Sequence, residues 1–208
     1  MEQPSVDGDE VGPRLVLIAP ETAPADDMGD QLSVILDEVK PAGFLIRQRS
    51  PTDSRDDLSR LRDLAAKQQV AFLVEDDLDL AERLGADGLH ASNVSVITDA
   101  RLKLGQEKIL GADAALSRHD AMNAGNDGAD YIAFGGLDRV LDDEVIGLIA
   151  WWRGVFVLPC LGYAASPDDA MQLVETGADF IGVSSVIWDC PDGALAGARQ
   201  MRAAIEKT

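Results

Sequence analysis

Three near-copies of one phrase recur along the chain: GADGLHA at 85–91, GADYIAFG at 128–135 and GADFIGVS at 177–184. Each follows a stretch with helical spacing of its apolar residues and leads into a run with the length and composition of a buried strand. Glycine just past a helix end is the usual left-handed cap. The phrase is therefore a helix-to-strand joint, and a chain that reuses one joint is built from repeated βα units. A looser echo, LGADAAL, stands at 110–116.

Strand candidates recur from end to end: RLVLIA (14–19), GFLIRQR (43–49), VAFLVED (70–76), DGLHA (87–91), KILGA (108–112), DYIAFGG (130–136), VFVLPCL (155–161) and DFIGVSS (179–185). Amphipathic segments separate them, several with start signals such as Ser54 before RDDLSRL and Ser166-Pro167 before DDAMQLV. Those are N-caps, the second followed by proline at the first helical position. Near-continuous apolar strands alternating with helices imply a parallel sheet covered on both faces. Eight such units in 208 residues predict an α/β fold, a compact (β/α)8 TIM barrel in a single domain over residues 13–208. A doubly wound open sheet is the competing arrangement. In a barrel the GAD joints lie at the bottom, and chemistry belongs to the opposite rim.

Composition narrows the function classes. Residues 1–12, MEQPSVDGDEVG, are acidic, lack a signal pattern and lack the apolar groups that offset ordering entropy, so they read as a mobile tail. No uncharged apolar run reaches the roughly 18 residues a membrane span needs. The formal net charge is −19, a field that repels nucleic acid and anionic membranes. Cys160 and Cys190 are too few for a disulfide framework or a zinc cluster, and a reduced cytoplasmic setting follows.

The informative residues then follow each strand. Arg47 and Arg49, two apart and so on one face, can each hold a phosphate or pair a carboxylate. Glu75, Asp76 and Asp77 crowd where oxygen ligands could hold a divalent ion, or where acids suit a helix dipole. His90, on strand four, reads as a hydrogen-bonded core residue, and Asp113, after strand five, as a site carboxylate or a cap. His119 falls in a helical, solvated stretch, and Cys160 reads as packing. After the last two strands, Gly162, Ser184 and Ser185 offer the amides and hydroxyls of a phosphate cup, or of ordinary turns.

The stretch VAFLVEDDLDLAERLGADGLHAS resembles the signature of the thiamine phosphate synthase and thiazole tautomerase family, as do GADYIAFGG and SPDDAMQLVETGADFIGVSSVIW. The similarity runs over residues 14–206 in the same eight-unit order. It implies a small (β/α)8 barrel, a homodimer, and a reaction that couples a pyrimidine diphosphate to a thiazole phosphate with Mg2+, expelling pyrophosphate. Carried over residue by residue, it implies a phosphate site at Gly162, Ser184 and Ser185, metal ligation by Asp76 and Glu75, and catalytic roles for Arg47, Arg49 and Asp113.

The chain also departs from the family's pattern. The strand-two Gln-x-Arg-x-Lys reads Leu45-Ile46-Arg47-Gln48-Arg49, and Asn-Asp-Arg after strand three reads Glu75-Asp76-Asp77. The second metal Asp falls near Ser95, the strand-five Ser falls at Asp113 or Ala114, and the Thr-x-Thr-Lys loop after strand six is missing. Cations and hydroxyls leave the site and carboxylates enter it. A diphosphate would meet repulsion there. The expectation is a thiamine phosphate synthase-like protein with a degenerate site, Mg2+-dependent if a working synthase and otherwise without a cofactor. A non-catalytic binder of a small phosphate ligand and an altered enzyme using Glu75, Asp76, His90 and Asp113 are the alternatives. In either, Arg47 and Arg49 could neutralise two of the crowded acids.

Overall fold

A computed structural model describes residues 14–20, 25–47, 54–137 and 139–207. The N-terminal tail and Arg49 lie outside the described residues. Eight parallel strands close on themselves in sequence order, with β8 pairing back to β1. The strands are β1 Arg14–Ile18, β2 Gly43–Ile46, β3 Ala71–Glu75, β4 Gly88–Ala91, β5 Ile109–Asp113, β6 Tyr131–Phe134, β7 Cys160–Tyr163 and β8 Phe180–Val183. The helices are α1 Ala25–Val39, α2 Arg55–Lys67, α3 Leu78–Leu84, α4 Ile97–Leu104, α5 Arg118–Asn126, α6 Asp143–Val155, α7 Pro167–Thr176, the short α8 Ser185–Trp188, and α9 Ala194–Ile205. The barrel is the one the repeated joint predicts, and the open sheet is excluded. None of these helices is long and apolar enough to cross a membrane.

The joint works through its aspartate. Gly85, Gly128 and Gly177 all take positive φ, and each following alanine closes the cap: the amides of Ala86, Ala129 and Ala178 bond the carbonyls of Ala81, Ala124 and Leu173 at 2.9–3.0 Å. The aspartate then reaches sideways to an amide at the start of the neighbouring strand, the second of β3 and β5 and the first of β7. Asp87 accepts from Phe72 N at 2.8 Å, Asp130 from Leu110 N at 2.7 Å, and Asp179 from Cys160 N at 2.8 Å. A buried amide left unpaired is costly, and the carboxylate supplies the acceptor. The Asp130 clamp is reinforced from below by Arg101, 7% exposed, which bonds Asp130 Oδ2 at 2.6 Å and the carbonyls of Gly105, Lys108 and Gly128. The echo at 110–116 is a different object. There Gly-Ala-Asp is the end of β5, at the opposite rim.

Alternation divides the strands into two cores. Val16, Ile18, Leu45, Leu73, Tyr131, Ala133, Leu161 and Tyr163 fill the barrel interior. Leu17, Phe44, Ile46, Phe72, Leu110, Phe134, Ile181 and others face the helices. Strand seven starts later than its apolar run suggests. Phe156 caps the end of α6, and Val155 and Val157 are 62% and 98% exposed. The run VFVL is a helix end and a loop, and the strand begins only after Pro159.

Removing one clamp tests its weight. Asp130→Ala leaves Leu110 N–H without its acceptor and the buried Arg101 without its carboxylate. The expected loss is about 3 kcal/mol, or a Tm lowered by roughly 6–12 °C at this chain length. A calorimetric Tm within about 2 °C of wild type would show that the clamp does not hold the register.

Candidate active site

The C-terminal ends of the strands enclose a cavity of about 530 Å3 lined by Ile18, Leu45, Arg47, Glu75, Ser92, Asp113, Gly136, Leu137, Arg139 and Tyr163. Strand alternation places them: Arg47, Glu75, Asp113 and Tyr163 continue the inward-facing series of β2, β3, β5 and β7. Arg47 donates from Nε to Glu75 Oε2 at 3.3 Å, with both side chains largely shielded from solvent. Across the mouth, Arg139 in the loop after β6 bonds Asp142 at 2.5 Å and Glu144 at 3.1 Å. Arg139 is not legible from the family's pattern, whose basic loop at that place is missing, although the arginine stands five residues after the FGG turn begins at Phe134.

The acids expected to hold a metal are engaged elsewhere. Asp76 accepts Ser92 N–H on Oδ1 at 2.8 Å and the Ser92 hydroxyl on Oδ2. Its φ of 55° lies in the left-handed region that aspartate tolerates better than most residues. Asp77 caps α3 through Leu80 N at 2.8 Å, and Asn93 accepts from Ser95 N at 2.9 Å. Among the described residues no three His, Cys, Asp or Glu side chains group together. Mg2+ is usually held by one or two carboxylates, with substrate phosphate and water completing its octahedron; to hold it here, Glu75 would have to exchange its bond with Arg47 and Asp76 its bonds with Ser92.

Asp113 and His90 form a second, buried group. Asp113 Oδ1 accepts from Ala115 N at 2.7 Å and Oδ2 from the Tyr163 hydroxyl at 3.1 Å. Burial raises the Asp113 pKa, and the charge of Asp76 acts in the same direction. His90, 2% exposed, contacts Tyr131 Oη through Nδ1 at 2.8 Å and Tyr163 Oη through Nε2 at 3.4 Å. Desolvation pushes its pKa down to about 4. It is the hydrogen-bonded core histidine its sequence position suggested.

The remaining candidates lie apart from the cavity lining. Gly162 faces the helices. A Cβ there would fall 2.5 Å from Leu173 Cδ2 and 2.9 Å from Ile149 Cδ1, so packing accounts for the glycine. Ser184 is buried at the end of β8, and Ser185 opens the four-residue α8, exposed. Cys160 also faces the helices, and burial pushes its thiol up to about 12, which leaves it unreactive. His119 is exposed beside Asn123.

Residues 15–187 match the model of the thiamine monophosphate synthase family. The chain is similar to the thiamine-phosphate synthase of Erythrobacter litoralis, 40% identical over 137 residues, covering 62% of this chain and 64% of that protein, a little under two thirds of its length. It is 32% identical over 195 residues to the thiamine-phosphate synthase of Rhodospirillum centenum, covering 88% and 93%. In structure it superposes on a thiamine phosphate pyrophosphorylase from Pyrococcus furiosus with a TM-score of 0.73 at 20% identity, covering 93% and 96%.

The depressed His90 pKa has a stability consequence of definite sign. Below 6.5 the unfolded chain takes up a proton that the folded barrel refuses until about pH 4. The contribution is therefore present above pH 6.5 and lost as pH falls toward 4, with a ceiling of about 3 kcal/mol. Urea unfolding at pH 7 and pH 4 should show a fall in stability that is smaller in His90→Leu by up to that amount. Equal falls in the two proteins would refute the assignment.

Proposed function

The chain belongs to the thiamine monophosphate synthase family, and from that premise we propose that its barrel mouth binds a phosphorylated heterocycle of thiamine biosynthesis without building a metal–diphosphate centre. The observation that carries this reading is the pairing of Arg47 with Glu75 inside the cavity, beside an Asp76 already bonded twice to Ser92.

The argument is one of charge. Expelling pyrophosphate develops negative charge that preorganised cations must neutralise. Among the described residues lining the cavity, two cations, Arg47 and Arg139, stand with two acids, Glu75 and Asp113, and Arg139 is already held by Asp142 and Glu144. A monophosphate can recruit one guanidinium by displacing a carboxylate from it. A diphosphate carrying about three charges would need more cations than this lining offers. A volume near 530 Å3 suits one small ligand. The family's Mg2+ would supply leaving-group neutralisation where it is bound; the carboxylates here are engaged with Arg47 and Ser92, and no step is assigned to it. With a net charge of −19, the reading is of a cytoplasmic small-molecule protein that avoids nucleic acid and membrane.

Three measurements test this reading. Purified protein given the pyrimidine diphosphate, the thiazole phosphate and Mg2+ should form no thiamine phosphate above background. A turnover of about 0.1 s⁻¹ or more, within reach of ordinary enzymes, would establish a working synthase instead. Calorimetric titration with Mg2+ should show no site tighter than roughly 1 mM; stoichiometric tight binding that disappears in Asp76→Ala would restore the metal centre. Thiazole phosphate should bind, and Arg47→Ala and Arg139→Ala should each weaken it by about 10- to 100-fold, as expected for a lost charge-assisted bond. Binding unchanged in both variants would place the ligand elsewhere.

A further inference from the structure

Four side chains form a continuous line through the barrel interior to the cavity: Tyr131, His90, Tyr163 and Asp113, with successive polar contacts of 2.8, 3.4 and 3.1 Å. The first three are 7%, 2% and 9% exposed. The strands make room for the rings. Gly111 lies against Tyr131, where a Cβ would sit 2.1 Å from the ring, and Gly182 lies against Tyr163, where it would sit 3.0 Å away. His90 and Tyr131 stack at 5.7 Å and 18°. Close packing on every side holds these groups in one arrangement.

Counting protons then orders the line. Each phenol carries one proton and a neutral imidazole carries one. When Asp113 is ionised, Tyr163 donates to it and so accepts from His90 Nε2–H, which leaves Nδ1 to accept from Tyr131. When Asp113 carries a proton on Oδ2, that proton is donated to Tyr163, Tyr163 donates to Nε2, and Nδ1–H donates to Tyr131. The two forms differ by one proton on the carboxyl and by the tautomer of His90. No charge enters the core in either form.

We infer that Asp113 is the proton-exchanging group of this cavity, and that Tyr163, His90 and Tyr131 are positioning residues whose hydrogen bonds reverse direction with its ionisation. The inference rests on the reading of the cavity as the ligand site. It names the chemistry of the ligand's inner end: a heterocycle that presents an N–H or an acidic ring C–H to the floor, with its phosphate toward Arg47 and Arg139. The proton passes from the ring atom to the Asp113 carboxylate, the electron pair stays on the ring, and the line inverts. Other charged and polar groups face the mouth around Asp113: Glu75 and Asp76 from the end of β3, Ser92 after β4, Arg47 after β2 and Arg139 after β6. Burial and Asp76 both favour the protonated form. A carboxyl that exchanges its proton nearer neutrality suits acid–base work.

Nitrogen-15 NMR of protein labelled at histidine reads the tautomer directly, and the chain has only two histidines, of which His119 is exposed. With no ligand present, His90 should stay neutral while passing from Nδ1–H to Nε2–H as pH rises through the Asp113 titration. Asp113→Asn mimics the protonated acid, since its amide donates to Tyr163, and should hold neutral His90 as Nδ1–H at every pH above its own protonation at about 4. In Tyr163→Phe the tautomer should no longer follow pH. A single pH-independent tautomer, the same in wild type and in Asp113→Asn, would overturn the inference. Calorimetry with thiazole phosphate in two buffers of different ionisation enthalpy gives the protons exchanged on binding, a number that should differ between wild type and Asp113→Asn. Failure of thiazole phosphate to bind while the tautomer response persists would refute the ligand-site reading and leave the proton line intact. Binding with an unresponsive His90 would do the reverse.

Discussion

A closed parallel barrel needs every strand to begin at the right height, because a slip of one residue turns its inward set outward. In this protein three carboxylates fix that height. Asp87, Asp130 and Asp179 each stand at the foot of one strand and accept an amide from the first two residues of its neighbour. The pairs Leu73 with Gly88, Gly111 with Tyr131 and Leu161 with Phe180 follow from those anchors. Everything at the mouth depends on this register. Arg47, Glu75, Asp113 and Tyr163 face one another across the cavity because the strands below them were set in phase. Had β5 risen by one residue, Asp113 would face the helices.

The repeat that sets the register was also the most legible feature of the sequence. Gly-Ala-Asp after an amphipathic run has a mechanism at each position: a left-handed cap, a small buried residue and a carboxylate acceptor. The strand interiors were less legible. Strands buried on both faces read as continuous apolar runs, so periodicity alone does not say which side chains enter the barrel. For that reason Tyr131 reads as an ordinary strand residue, Tyr163 falls beyond the seventh apolar run, and His90 stands alone. The line through them appears only once register pairs β4 with β5, β5 with β6 and β7 with β8. The same ambiguity drew strand seven into VFVL, whose valines are solvent-facing.

At the mouth, charge was legible, and so was the pairing of Arg47 with one of the crowded acids, but not which acid it takes or what holds the others. The sequence places Arg47 and Glu75 at successive strand ends, and the crowding of acids there is evident from composition. That Asp77 caps a helix, that Asp76 is bonded to Ser92, and that Arg139 returns to the rim from a loop without regular structure are facts of three dimensions. The family's metal and diphosphate pattern is a set of precise positions. A chain can keep the barrel while changing what those positions do.

The anchors bond backbone amides at the foot, whereas Arg47, Glu75 and Arg139 pair at the mouth, and of the polar groups described above only the line from Asp113 to Tyr131 runs between the two levels. Substitutions at sites that far apart and without common partners combine almost independently. Mutational drift at the rim is therefore uncoupled from drift in the scaffold: a lineage can exchange a lysine for an acid, or lose a loop, one step at a time, without passing through an unfolded intermediate. In this architecture a change of chemistry in the rim loops need not be a change in foldedness.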